Sequence, residues 1–147
     1  MRKVFVLIIL IAFAGCVPPA PKVVIGPEAD FQHAALSVKE KKFHEAIAAY
    51  RKIAADAPQS PVAADALFEA SYLQTFYDNP QKDYAQALQG FEDFLKHYPG
   101  HVKAPDARNW RVVLKTILDA RKENDRLNQS IEELKKLDIR HEERRRK

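Results

Sequence analysis

Cysteine and histidine are the residues of this 147-residue chain that could attach a lipid, bind a metal or act as a nucleophile. Cys16 is the single cysteine, so it has no disulfide partner within the chain. His97 and His101 are four positions apart, but Pro99 and Gly100 lie between them and keep them off a shared helix face. The sequence contains no glycine-rich phosphate loop and no nucleophile motif. We therefore predict a protein that is not an enzyme and that uses no cofactor and no metal.

The segment before Cys16 has the pattern of a secretory signal peptide. A basic start is followed by an apolar run over Val4 to Ala14 and by small residues. This run is about half as long as a helix that crosses a bilayer, so we expect no permanent transmembrane anchor. The ending Phe13-Ala14-Gly15-Cys16 resembles the lipobox of bacterial lipoproteins. In that family the cysteine carries the lipid and becomes the first residue after cleavage.

The resemblance implies a protein that is anchored in a bacterial membrane through Cys16. Stable attachment takes more than one acyl chain, and this family supplies two or three. Val17, rather than Asp, follows Cys16, which by the family's sorting rule favours the outer membrane, on its periplasmic side. The alternative is an ordinary cleaved signal peptide in which the cysteine is incidental. We accordingly assign residues 1–15 to the signal peptide and residues 16–27 to the acylated cysteine and a Pro-rich tether.

The rest of the chain is predicted to be all-α. From residue 28 onwards it is rich in Ala, Lys, Glu and Leu, which favour helices. The formal charge of +4 is concentrated at the two ends of the chain, so the domain is near neutral and has no nucleic-acid footprint. Prolines and apolar spacing predict five helices. They begin near Pro27, Phe43, Ser60-Pro61, Tyr84 and Ala104, and the third extends to Asp78-Asn79-Pro80.

Two of these helices share one pattern of aromatic residues, alanine and proline. The matching positions are Phe43, Ala46, Tyr50 and Pro58 in one helix, and Tyr84, Ala87, Phe91 and Pro99 in the other. The same positions mark the second helix of a tetratricopeptide repeat, where a small alanine lets the paired helix approach closely. Any antiparallel helical pair could show such spacing, but two copies in matching register favour repeats. The pattern predicts two tetratricopeptide-like helical hairpins over residues 28–101.

Longer phrases are similar to those of envelope repeat proteins. The phrase Ala57-Pro58-Gln59-Ser60-Pro61-Val62-Ala63-Ala64-Asp65-Ala66 and residues 91–101 resemble the BamD family of outer-membrane assembly lipoproteins and the repeat domain of the CpoB family. The resemblance covers about residues 29–101. It implies a non-catalytic adaptor or scaffold that binds a protein partner during envelope assembly. Lys41 or Lys42 replaces the glycine that the family commonly has in the turn between helices. The alternative function is that of an accessory lipoprotein in an envelope signalling, secretion or pilus system.

The third helix is the predicted source of partner contacts. First helices of hairpins line the concave face of a repeat stack. This helix carries more aromatic and polar residues than one buried face can hold. Our candidate contacts are Tyr72, Gln74, Phe76 and Tyr77.

Residues 102–147 are predicted to form one long helix with coiled-coil character. From Val113, apolar positions alternate with gaps of four and three, as a coiled-coil seam requires. The seam residues are Asn124, Leu127, Ile131 and Leu134, whereas Trp110, Leu114 and Leu118 lie off the seam and should dock on the repeats. Two interpretations stay open after Arg121: a homodimer, or a helix that caps its own domain. The basic end over residues 144–147 suits the helix dipole, or contacts anionic headgroups or an acidic partner.

Overall fold

The computed structural model describes residues 26–146 and is all-α over that range. Its helices are α1 (Pro27–Lys39), α2 (Phe43–Asp56), α3 (Ala63–Leu73), α4 (Tyr84–His97) and α5 (Ala104–Arg145). The predicted all-α class and the long last helix are confirmed. The predictions for the signal peptide, for Cys16 and for most of the tether fall outside the described residues. No helix within residues 26–146 is both long enough and apolar enough to cross a membrane.

Each helix packs against the next one in the chain, and α3 lies at the centre of the stack. Ala66, Ala70 and Leu73 of α3 join a buried cluster with α1 and α2. Ala64 and Phe68, also on α3, belong to a second cluster with α4 and α5. Two separate faces of one short helix therefore hold the two halves of the core together.

The third helix ends earlier than the sequence predicts, at Leu73 rather than at Asp78-Asn79-Pro80. The side chain of Asn79 is buried, and its Nδ2 donates a hydrogen bond of 2.9 Å to the carbonyl of Leu73. A continued helix would use that same carbonyl for its own backbone. The Asn79 amide thus replaces the next helical hydrogen bond, and the chain turns back towards α4. Asp83 caps that helix, because its Oδ1 accepts hydrogen bonds from the backbone N–H groups of Ala85 and Gln86.

Lys41 takes the left-handed conformation in the turn between α1 and α2, with φ of 60°. This is the turn in which the repeat family commonly has glycine, because glycine adopts that conformation without steric cost. The backbone N–H of Lys41 donates to Val38 at 2.9 Å, and that of Lys42 donates to Ser37 at 2.9 Å. The two bonds satisfy carbonyls at the end of α1, which offsets part of the strain.

The long helix α5 is docked over its first half and exposed over its second half. Leu114 is 1 % exposed, and Trp110 packs against the α3–α4 cluster, as predicted. Leu118 is half-buried, and the guanidinium of Arg121 lies 4.6 Å from the ring centroid of Tyr84. Between residues 122 and 146 nearly every side chain is exposed. The interpretation of this segment as a cap on its own domain is therefore wrong, because the segment extends past the core instead of covering it.

The crossing of α3 and α4 is close enough to require glycine. A Cβ at Gly90 would lie 2.2 Å from Ser71 Oγ and 3.0 Å from Ser71 Cβ. Ser71 is itself buried, and its hydroxyl donates to the carbonyl of Leu67 at 2.7 Å, so displacing this side chain would cost that hydrogen bond. Side chains this crowded force a shift of the helix or a strained rotamer.

We predict that Gly90→Ala destabilises the fold by about 1–3 kcal/mol, which is the usual cost of overpacking. The sign of the change in the free energy of unfolding distinguishes a crowded site from an open one, because Gly→Ala in an exposed helix stabilises by about 1 kcal/mol. Adding Ser71→Gly should recover part of the loss, and Gly100→Ala, whose Cβ meets nothing within 4 Å, is the matched control. Urea unfolding followed by circular dichroism measures all three. A Gly90→Ala variant as stable as the parent would contradict the close crossing.

Candidate functional site

A groove runs between α3 and the docked half of α5. Its lining includes Phe68, Tyr72, Lys103, Asp106, Trp110 and Val113. Two helices that are not adjacent in the chain form it, so the groove exists only because α5 packs beside α3. Apolar walls with polar groups at the rim are typical of sites that bind another molecule.

The wall of the groove is aromatic and rigidly held. The rings of Tyr72 and Trp110 meet edge to face with centroids 5.6 Å apart. The Trp110 indole stacks on Phe91 at 6.1 Å with an interplanar angle of 5°, and Phe91 is fully buried. Tyr72 also contacts Phe76 at 6.1 Å. Aromatic pairs of this kind favour fixed ring positions, which gives the groove a preformed apolar surface.

A charged cluster closes one end of the groove. The Lys103 ammonium lies 2.8 Å from Glu69 Oε1, 3.0 Å from Asp65 Oδ1 and 4.8 Å from the Phe68 ring centroid. Burial lowers the pKa of Lys103, but the hydrogen bonds and charges of Glu69 and Asp65 outweigh burial, so the pKa is raised above its usual value. Lys103 therefore stays charged at neutral pH and ties the start of α5 to α3.

The opposite rim is exposed and partly polar. Asp106 and Asn109 are exposed there, and Val113 is 47 % exposed. This rim offers a carboxylate, an amide and an aliphatic surface beside the Tyr72–Trp110 pair. The described residues contain no group of three or more His, Cys, Asp or Glu placed to hold a metal. The geometry suits noncovalent recognition of a peptide segment that has an apolar anchor and polar flanks.

The four predicted partner contacts are dispersed. Tyr72 lies in the groove, and Tyr77 is 79 % exposed on the loop after α3. Phe76 instead packs inward, with its ring centroid 5.6 Å from that of Phe43. Gln74 is 6 % exposed, and its Oε1 has no hydrogen-bond partner among the described residues. Gln74 is thus buried rather than available to a partner, because α3 ends at Leu73 and the chain changes direction there.

The positions of the repeated pattern occupy matching places in the two clusters. Ala46 and Ala87 are both fully buried, at 0 % exposure. Phe43 and Tyr50 flank Ala46 in the first cluster. Burial raises the pKa of Tyr50 to about 12, and the charge of Glu69 adds a smaller effect. In the second cluster Phe91 is buried and Tyr84 packs against the edge. The prolines end the pattern at exposed positions, where the Pro58 carbonyl accepts a 3.2 Å hydrogen bond from the Tyr98 hydroxyl.

Of the residues that α5 contributes to the groove, Trp110 and Val113 are predicted from the sequence in other roles, and Asp106 and Asn109 are not singled out there. Asp106, Asn109 and Val113 lie at helical spacing on one side of α5, and Asp65, Glu69 and Tyr72 do the same on α3. Each set was visible as a helix face. The pairing of the two faces was not visible, since it depends on how α5 packs.

Comparison with protein-family models, curated proteins and solved structures finds no match to the chain.

We predict that Lys103→Met destabilises the fold by about 1 kcal/mol, because it leaves two half-buried carboxylates without their cation. Lys52→Met is the matched control, since Lys52 pairs with Asp56 on an exposed helix surface. The control should change the free energy of unfolding by less than about 0.5 kcal/mol.

Urea unfolding at several pH values checks the electrostatic origin of the Lys103 effect. The pKa of Lys103 is higher in the folded protein than the value of about 10.4 expected for a lysine in the unfolded chain. Its contribution to the free energy of unfolding is therefore complete below about pH 10.4, and it is lost as the pH rises through the pKa of the folded protein. The difference between the parent and Lys103→Met should therefore be constant from about pH 7 to 9 and shrink above about pH 10.5. Equal losses for the two lysine variants would contradict the role assigned to Lys103.

Proposed function

We propose that the protein is a non-catalytic adaptor lipoprotein of the bacterial outer membrane. It is anchored through an acylated Cys16, faces the periplasm and binds a protein partner of the envelope, as the resemblance to the BamD family implies. A stack of helices presents the groove between α3 and α5 to that partner. The lipid confines the adaptor to the membrane surface, and the groove supplies the specificity.

The observation that carries the binding role is the preformed aromatic groove. Tyr72 and Trp110 are held by Phe91 and Phe76 from behind, so partner binding costs little ordering of these rings. Aromatic residues at the centre of an interface contribute more binding free energy than the polar residues around them. The rim of Asp106 and Asn109 then selects the register of the bound segment through hydrogen bonds.

The anchoring role is supported by the sequence around Cys16. The basic start, the short apolar run and the small residues before the cysteine match a lipoprotein signal, and Cys16 is the single thiol of the chain. Pro18, Pro19 and Pro21 follow it, and a Pro-rich segment acts as an extended spacer between membrane and domain.

The groove is tested in the full chain by photo-crosslinking within intact cells. A photoreactive residue at Asn109 should capture an envelope protein. Val113→Glu should weaken the capture at least about tenfold, since it places a carboxylate in the apolar contact. Val112→Glu is the matched control, because Val112 is 61 % exposed on the same helix and does not line the groove. Equal capture in the two valine variants would contradict groove binding.

The identity of the captured protein separates the two functional hypotheses. Recovery of the barrel subunit of the outer-membrane assembly complex supports the BamD-like role. Recovery of a sensor kinase, a secretin or a pilus component supports the accessory role instead. Mass spectrometry of the crosslinked band identifies the protein directly.

We predict that Cys16→Ser abolishes lipid attachment. The variant should incorporate no labelled palmitate, and it should enter the soluble periplasmic fraction or keep its signal peptide. Val17→Asp is the control, because it keeps the cysteine and should redirect the lipidated chain to the inner membrane by the family's sorting rule. A Cys16→Ser variant that is cleaved and remains in the membrane as before would refute the lipid anchor.

A further inference from the structure

The free half of α5 carries an exposed stripe of one asparagine and three apolar residues. The stripe, which we call the seam, consists of Asn124, Leu127, Ile131 and Leu134. Leu127 and Ile131 are each 48 % exposed, and Leu134 is 61 % exposed. None of the four seam residues belongs to either buried cluster of the described residues, whereas the docked half of the same helix is buried at Leu114.

The residue types along the seam favour a two-stranded parallel coiled coil. In the heptad frame, Ile117, Asn124 and Ile131 occupy a positions, and Leu127 and Leu134 occupy d positions. Isoleucine at a with leucine at d is the combination that selects parallel dimers over trimers and tetramers. A single asparagine at an a position further selects the dimer and fixes the alignment of its two strands.

We propose that the occupant of the seam is a second copy of this chain, parallel and in register. Asn124 decides the orientation. In any antiparallel alignment an a residue faces a d residue, and the d residues near Asn124 are Ala120, Leu127 and Leu134. The buried amide would then face an apolar side chain and lose its hydrogen bonds, which weakens that alignment relative to the parallel one. In the parallel alignment Asn124 meets Asn124 of the second copy.

The hydrogen-bonding capacity of Asn124 allows this pairing. Within one chain, Asn128 Nδ2 donates to Asn124 Oδ1 at 2.9 Å. A side-chain amide oxygen accepts a second bond, and the Asn124 NH₂ group still has its donors. One Asn124 can therefore donate to the other across the dimer without breaking the Asn128 bond.

The charges beside the seam do not oppose the parallel pairing. At the g and e positions that approach each other, Glu123 would lie near the second copy's Asn128, and Ser130 near its Lys135. Neither pair joins like charges, so no repulsion excludes the register. Glu123 already pairs with Arg126 within one chain at 2.6 Å.

The dimer is expected to be weak and concentration-dependent. The stretch from Ile117 to Leu134 is about 25 Å long at about 1.5 Å per residue, which is fewer than three heptads. Lipid anchoring, which rests on the function proposed above, would raise the effective concentration of the chains on one membrane surface. The pairing itself depends only on α5, so its test does not depend on the lipid.

Cysteine crosslinking of the full chain in detergent-extracted membranes tests the alignment. Leu127→Cys places identical d positions side by side in the parallel dimer, and added oxidant should convert it to a disulfide-linked dimer at least about tenfold more than Ile139→Cys. Ile139 is the matched control, because it is 59 % exposed on the same helix but lies off the seam. The unaltered chain gives the background from Cys16.

A mixed sample of the Leu127→Cys and Ile131→Cys variants separates the parallel register from an antiparallel one. In the parallel dimer each introduced thiol faces the same position of the second copy, so disulfides should link chains that carry the same substitution. In the antiparallel alignment that brings position 127 opposite position 131, disulfides between the two different variants should dominate. That second outcome would overturn the parallel alignment.

Analytical ultracentrifugation of the full chain tests the association. Ile131→Glu should shift the mass towards the monomer, Ile139→Glu should leave the dimer intact, and Asn124→Ile should associate more tightly while losing the preference for one register. Unchanged circular dichroism shows that each variant is folded. Equal crosslinking at positions 127 and 139, or a monomer at the highest soluble concentration, would also overturn the proposal. Each of these results leaves palmitate labelling of Cys16 unaffected, so lipid anchoring is judged separately.

Discussion

The double-sided packing of α3 is the constraint on which the other features of the structure depend. This helix has 11 residues, and most of them are buried. Alanine fills most of the buried positions, so neighbouring helices approach its backbone closely on both sides. Gly90 on α4 lies directly against Ser71, and Ala46 on α2 is fully buried. A helix with larger side chains could join one cluster or the other, but not both at these distances.

The groove follows from this arrangement. Because α3 uses two faces for the core, a third face with Glu69 and Tyr72 remains beside α5. Lys103, at the start of α5, joins that face through ion pairs with Asp65 and Glu69. The groove is thus formed by the same contacts that hold α5 on the stack. Lys103 belongs both to the groove and to those contacts, whereas Val113 contributes to the rim alone.

Local signals determined most of what was predictable from the sequence. Prolines and apolar spacing placed the starts of α1, α2, α4 and α5, since each depends on residues within one or two turns. The end of α3 was misplaced because Asn79 acts from six residues away and through its buried side chain. Gln74 and Phe76 follow the true end of α3, so their predicted role as partner contacts was affected by the same error: Gln74 is buried and Phe76 is partly buried. The groove required knowledge of which face of α5 meets α3, and a single sequence contains no signal for that pairing.

The two halves of α5 have different physical roles. Isolated helices are marginal in water because the first turn is costly to form, whereas adding residues to an existing helix is not. The docked half, fixed by Leu114 and Trp110, supplies that first structure. Beyond it, ion pairs such as Lys135 with Glu132 add only a few tenths of a kcal/mol each. The core therefore supports a projecting helix that holds the seam on one face, so the proposed pairing requires no separate folding of that segment.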